Sequence, residues 1–178
     1  MLPPSDTNQL IQHCFTVIEK SQYECLHLPM TLDAWREQRP HFPRHNGLYI
    51  HIAEYKQRVV LLRIGMAHQQ NGIHGRWFQS QAAHYYCFQH SRNTPNYHTF
   101  FQQIAAYFAN TWLLCFLYPE RPKHELGNQE KLLIAELQPI WEQPWHDHQP
   151  AWKRRPFIQR LQNLRTVPNL IEMIDEGE

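Results

Sequence analysis

The sequence predicts a mixed α+β domain, in which a β-hairpin and a third strand are combined with several amphipathic helices. Two consecutive runs, 48–53 and 59–65, alternate their side chains with the period of two that a half-buried strand requires. A third run, 112–118, is apolar throughout and short, which is typical of a strand covered on both faces. Apolar residues at helical spacing occur before the first run and on both sides of the third.

Residues 1–45 are predicted to be a helical addition to the main domain. Apolar residues recur at helical spacing over residues 7–20, after polar residues that can cap a helix. A second short helix is expected to start at Thr31 and to end before Pro40, with acidic residues in its early turns. A proline-containing loop then leads into the main domain.

The two alternating runs are predicted to pair as an antiparallel hairpin, because only a short connection separates them. The apolar face of this hairpin is expected to comprise Leu48, Ile50, Ile52, Val60, Leu62 and Ile64. Tyr49 and Arg63 occupy the alternate positions, and successive side chains of a strand point to opposite faces. If both apolar sets pack on one core, Tyr49 and Arg63 therefore project from the same opposite face.

The main domain is predicted to span residues 46–142 and to contain three helices. The first follows a polar loop over residues 66–75 and covers about 76–88. The second covers residues 98–110, where the apolar positions form one clean helical face. The third, 128–137, has an asparagine as its N-cap and a proline shortly after its end.

Residues 143–178 are predicted to form a C-terminal extension with one or two helices. The extension contains the basic segment 153–155, which follows Trp152, together with Arg160 and Arg165. Such a segment can follow a phosphate backbone. The alternative is a solvated helix whose tryptophan packs on the main domain.

Composition and charge favour a globular protein of the cytoplasm. The apolar content of 42% is sufficient for a packed core. No stretch approaches the ~20 apolar residues that cross a bilayer, and the first residues lack a basic and apolar leader, so we expect no membrane partner. The four cysteines are far apart and include no C-x-x-C pair, so reduced thiols are expected. The net charge of +1 gives no global attraction for nucleic acid.

A glutamate on an apolar helix face is a candidate for chemistry. Leu133, Ile134 and Leu137 follow Glu130 at the spacing that places side chains on one helix face. A carboxylate in this setting is costly unless it is paired or coordinates a cation. The alternative is a solvated carboxylate near the helix N-terminus, where the helix dipole favours negative charge. Glu136 falls on another face and is expected to be solvated.

Several short motifs occur in a particular order along the chain. Gly47-Leu48-Tyr49 opens the first predicted strand, and Arg63-Ile64-Gly65 closes the second. Arg76 follows at a predicted helix start, and Glu130 begins an E-x-x-L-I sequence in the last helix, with a proline after it. This order resembles that of the GIY-YIG nuclease family, and the resemblance covers about residues 46–142.

The resemblance implies a small three-stranded antiparallel sheet flanked by helices, and a metal-dependent endonuclease that hydrolyses phosphodiester bonds in DNA. Tyr49 would act as general base or orient the attacking water, Arg76 would neutralise the phosphate, and Glu130 would hold one Mg²⁺ or Mn²⁺. His84 is the candidate for a histidine or tyrosine that often follows the arginine. Arg63 stands where the family has its second tyrosine, and it can bind phosphate but cannot perform the same proton chemistry.

Two other functions are open at this point. The first is a catalytically impaired nucleic-acid-binding module of the same fold, which Arg63 and the near-neutral charge favour. The second is a protein–protein adaptor that uses exposed aromatic side chains. Its candidate residues are Tyr85, Tyr86, Trp141 and Trp145, for which the alternative is a place in the core. A single-metal site provides one catalytic centre per chain, so cleavage of both DNA strands would require a homodimer or two successive events.

Overall fold

A computed structural model describes residues 2–29, 37–55, 58–78, 108 and 110–139. The described residues confirm the mixed α+β class. In chain order they form α1 (Thr7–Val17), β1 (Gln22–Pro29), a 3-10 turn (Arg39–His41), β2 (Gly47–Tyr55), β3 (Arg58–Ala67), α2 (Gly72–Phe78), β4 (Asn110–Leu117) and α3 (Lys123–Leu137).

The sheet has four strands in the described part of the chain, where the sequence predicts three. The strand order is β1-β4-β2-β3, and each strand is antiparallel to its neighbours. The additional strand, β1, lies in the region predicted to be a helical addition, between its two predicted helices, where the sequence analysis predicts no strand. Its pairing explains the apolar character of β4, because β4 lies between two strands and is buried along almost its whole length.

A β-bulge in the hairpin changes which side chains of β3 face the core. The pairing register shifts between His51 and Ile52, and Leu62 is the extra residue of β3. The hairpin side chains in the core are Leu48, Ile50, Ile52, Val59, Leu61 and Ile64. The prediction that Val60 and Leu62 share this face is therefore wrong, because one extra residue inverts the alternation of the side chains before it.

Different helices cover the two faces of the sheet. On one face, α1 and α3 pack on each other. The helix α3 contacts the hairpin, mainly the edge strand β3, and α1 contacts β1 and β4 through the ring of Phe15. Their contributions to this core are Leu10, Ile11, Cys14, Leu126, Leu133 and Leu137. On the other face, α2 packs on β2 and β3 through Trp77, which contacts the rings of Tyr49 and His51. The two faces therefore have separate interiors.

Two helices begin earlier than their sequence patterns predict. The segment 66–75 is not a loop throughout, because β3 continues to Ala67 and α2 begins at Gly72. The last helix starts at Lys123, directly after the extended residue Pro122, so Asn128 is an internal residue and not the cap. Its predicted end is confirmed, since Gln138 adopts a left-handed conformation immediately before the proline.

Several predictions fall on residues that the structure does not describe. These are most of the helix predicted over 98–110, residues 79–88 of the one predicted over 76–88, and the extension 143–178. The helix predicted from Thr31 also lies largely outside the described residues, as do the four aromatic residues of the adaptor hypothesis. Among the helices that the structure describes, none is both long and apolar enough to cross a membrane.

Candidate active site

The first motif tyrosine lies over the glycine of the second motif. Tyr49 and Gly65 are direct partners across the antiparallel pair β2–β3. A Cβ atom on Gly65 would overlap the Tyr49 ring and its hydroxyl, so only glycine leaves room for the ring in this position. The side chain of Tyr49 is fully buried on the face that α2 covers.

Arg63 lies beside Tyr49 on the same face, as the strand alternation predicts. The central guanidinium carbon of Arg63 is 5.9 Å from the centroid of the Tyr49 ring, within the range of a cation–π contact. Both side chains have a relative exposure of 0%. The structure thus brings two of the predicted site residues together and encloses them.

A histidine that the sequence analysis does not select, His51, completes this buried group. His51 is the cross-strand partner of Arg63, and its Nε2 atom is 2.8 Å from the Thr111 hydroxyl on β4. The Thr111 hydroxyl donates its only proton to the Leu28 carbonyl on β1, at 3.1 Å. It must therefore accept from His51, so the proton of the neutral imidazole is on Nε2 and Nδ1 is an acceptor.

Burial keeps this imidazole neutral. Desolvation, with a further contribution from the nearby Arg63 charge, lowers the pKa of His51 to about 3. At neutral pH the ring therefore adds no second positive charge next to Arg63. The hydrogen-bonded series from β1 through β4 to β2 fixes its orientation across three strands.

Aromatic packing holds α2 against this group. The Trp77 ring is fully buried, and its centroid is 5.4 Å from that of Tyr49 and 5.8 Å from that of His51, both in edge-on geometry. Phe42 packs against Trp77 from the preceding loop, with ring centroids 5.8 Å apart. Arg76 precedes Trp77 in the last turn of α2 and is half-buried.

Backbone contacts fix the position of α2 from its other end. The amide of Ile73 donates to the His45 carbonyl at 3.0 Å, and the amide of His74 donates to the Pro43 carbonyl at 2.8 Å. Gly72 has a φ of 49°, and a Cβ atom there would overlap the His45 carbonyl. The loop before β2 and the start of α2 are therefore joined directly, which places α2 relative to the hairpin.

Glu130 lies on the helix that packs on the opposite face of the sheet. It belongs to the same stripe of α3 as the buried residues Leu126, Leu133 and Leu137, and it is half-buried. Glu136 is exposed, as its position predicts, with His13 at 3.3 Å. The helix α3 packs on β3 and β2 from the side of the sheet that carries Leu48 and Ile50, whereas Tyr49 faces α2.

The donor set for a metal ion is limited in the described residues. No group of three or more His, Cys, Asp and Glu side chains in this part of the chain is arranged to hold a metal ion. A single carboxylate such as that of Glu130 would leave the remaining ligands of Mg²⁺ to water and substrate, as at many phosphate-processing sites. His84, the other predicted site residue, lies outside the described residues.

Comparison with protein-family models, with curated proteins and with solved structures finds no match for this chain. The resemblance to the GIY-YIG nuclease family therefore depends on the order of the motifs and stays a prediction.

Proposed function

We propose that this chain is a GIY-YIG-type domain that hydrolyses phosphodiester bonds in DNA with one divalent metal ion. The observation that supports the proposal is the meeting of two motifs on one sheet face, where Tyr49 lies over Gly65 and beside Arg63. A third motif residue, Arg76, is in the short helix whose tryptophan packs on Tyr49. The two strand motifs and the helix that carries the third are thus in contact through packing that involves the motif residue Tyr49.

Each of these residues has a role that suits its chemistry. Tyr49 would act as general base or orient the attacking water, and Arg63, whose guanidinium carbon is 5.9 Å from the centroid of the Tyr49 ring, would bind phosphate. The guanidinium of Arg76 would bind two oxygens of the phosphate and neutralise developing charge. Glu130 would hold Mg²⁺ or Mn²⁺, which when bound favours hydroxide formation and offsets charge on the leaving oxygen.

Enclosure of the site sets a condition on this reaction. Tyr49 and Arg63 are both fully buried, so a phosphate cannot contact them in the conformation that the structure describes. Hydrolysis therefore requires that substrate binding opens the face covered by α2. The proposal predicts a slow first turnover, since opening this face would separate packed aromatic side chains.

A plasmid-nicking assay tests the proposal. Wild-type protein with Mg²⁺ or Mn²⁺ is expected to convert supercoiled DNA to the nicked form, and Tyr49→Phe, Arg76→Ala and Glu130→Gln are each expected to lower the rate by at least about 100-fold. Glu136→Gln is the matched control, because it changes an exposed carboxylate of the same helix as Glu130. If the wild-type protein cuts no DNA with either metal, the hydrolytic proposal fails.

A second candidate is a nucleic-acid-binding module of the same type that does not cleave. The complete burial of Tyr49 and Arg63 favours it, because a general base must reach its water. So does the presence of arginine where the family has a second tyrosine. Salt-dependent DNA binding by wild-type protein, without nicking in either metal, would select this candidate over the first.

A further inference from the structure

Positive charge is concentrated in the middle of the sequence, although the whole chain is nearly neutral. Residues 38–119 contain a single acidic residue, Glu54. The same segment contains Arg39, Arg44, Lys56, Arg58, Arg63, Arg76 and Arg92. The remaining acidic residues lie in the two flanking parts of the chain. The net charge of +1 therefore conceals a basic central segment between acidic flanks.

Two of these arginines, Arg39 and Arg44, are exposed beside α2. We call this pair the arginine rim. Both lie in the loop before β2 that is joined to the start of α2 by backbone hydrogen bonds. The central guanidinium carbon of Arg39 is 5.7 Å from the centroid of the Phe78 ring, at the end of α2. Burial is the main cause that lowers the pKa of His74, and the nearby charges of Arg44 and Arg39 lower it further.

The charges of the arginine rim are not neutralised by the part of the chain that the structure describes. Neither Arg39 nor Arg44 forms an ion pair with a described carboxylate, whereas Arg121, just before α3, contacts both Glu19 and Glu125. Exposed arginines without carboxylate partners attract phosphates, which fit the guanidinium group. The rim lies in the loop that is joined to the short helix carrying Arg76.

We infer that the arginine rim binds the phosphodiester backbone of nucleic acid and guides it toward α2. This inference deepens the proposed function, on which it rests, by assigning a substrate-binding surface outside the candidate active site. The charge of the rim and its exposure match a polyanion, and a surface of two arginines carries no sequence information by itself. The rim therefore contributes affinity that is independent of sequence and sensitive to salt.

The test is a salt titration of DNA binding by the full chain, monitored by the fluorescence anisotropy of a labelled duplex in EDTA. Arg39→Gln/Arg44→Gln is compared with the wild-type protein and with the control Lys123→Gln/Lys131→Gln, which removes two exposed charges from α3. Each phosphate contact contributes about 0.9 to the slope of log K against log salt. The slope is negative, and its magnitude is expected to be smaller by about 1.8 in the rim variant than in the wild-type protein. The control is expected to leave the slope unchanged.

Several results of this titration would overturn the inference. They are an unchanged slope in the rim variant, an equal loss in the control, and wild-type protein that does not bind DNA. A parallel titration with phosphatidylserine vesicles separates the two polyanions, and rim-dependent binding to vesicles but not to DNA would also overturn it. Because EDTA excludes cleavage, the result is independent of the nicking assay. A protein that binds through the rim but never nicks would contradict only the hydrolytic proposal.

Discussion

The ring of Tyr49 rests on the backbone of Gly65, its partner across the β2–β3 pair. Within the candidate site this contact links the two strand motifs directly. It gives the second-motif glycine a steric role, since any Cβ atom there would occupy the space of the ring. The glycine is thus needed for the position of the tyrosine, whether or not the tyrosine takes part in hydrolysis.

The Tyr49–Gly65 contact predicts strong coupling between substitutions at these two positions. Gly65→Ala is expected to lower the free energy of unfolding by about 1–3 kcal/mol, because the added methyl group overpacks a closed site. In a Tyr49→Leu background the same change is expected to cost much less, since the ring is absent. Urea denaturation of the four proteins of this cycle measures the coupling, which we expect to be at least about 1 kcal/mol.

Gly127→Ala is the matched control for this cycle. A Cβ atom on Gly127 would meet the Met66 sulphur at 3.9 Å, an ordinary contact distance, and the residue lies within α3. Alanine is expected to stabilise the protein here by about 0.5–1 kcal/mol. Additive effects of Gly65→Ala and Tyr49→Leu would show that the ring does not rest on this glycine.

The neutral state of His51 predicts a loss of stability in acid. Its pKa is about 3 in the folded protein, below the ordinary value of 6.5, so the unfolded chain binds a proton that the folded chain excludes. The stabilising contribution is therefore complete above about pH 6.5 and is lost progressively as the pH falls toward 3. As the pH falls from about 7 to about 4.5, we expect His51 to account for about 3 kcal/mol of the decrease in the free energy of unfolding.

Denaturation at a series of pH values, with His51→Gln as the variant, measures this contribution. The glutamine amide can still donate to Thr111, but it does not titrate, so the fall in stability between about pH 7 and pH 4.5 should be smaller in the variant. His124→Gln replaces an exposed histidine of α3 and is the control. Equal pH dependence in His51→Gln and the wild-type protein would contradict the assignment.

The main strands are predictable from sequence because burial on one face produces a period of two. The alternation over 48–53 and the apolar run over 112–118 each correspond to a strand of the sheet. By contrast, β1 has exposed polar residues on an edge strand, and its pairing with β4 depends on a partner that is distant in the sequence. The bulge at Leu62 depends equally on the register of two strands, which a local pattern does not contain.

The candidate site is predictable only in part, because some of its contacts depend on elements that are distant in the sequence. Tyr49 and Arg63 share a face because their strands pair, and this follows from the alternation. His51 looks like an ordinary strand residue until β4 brings Thr111 to its ring, so its role depends on tertiary contacts. The position of Glu130 on the opposite face also depends on which side of the sheet α3 covers, and helical spacing does not determine this.

The packing of Trp77 predicts that α2 is held mainly by this residue. Trp77→Ala is expected to destabilise the protein by about 3–5 kcal/mol, because it removes a fully buried ring that contacts three other rings. Trp77→Phe keeps an aromatic ring in the same place and is expected to cost less. Urea denaturation followed by circular dichroism measures both. A loss below about 1 kcal/mol for the alanine variant would mean that other contacts hold α2.

The position of Glu130 predicts a metal-dependent increase in stability that a single carboxylate controls. A ligand that binds only the folded state stabilises it, by about 1.4 kcal/mol at about ten times its dissociation constant. Mn²⁺ is therefore expected to raise the melting temperature of the wild-type protein, and Glu130→Gln should remove this effect. Glu136→Gln, which changes an exposed carboxylate of the same helix, should keep it. If Mn²⁺ shifts all three proteins equally, binding occurs elsewhere, and Glu130 is not the metal ligand.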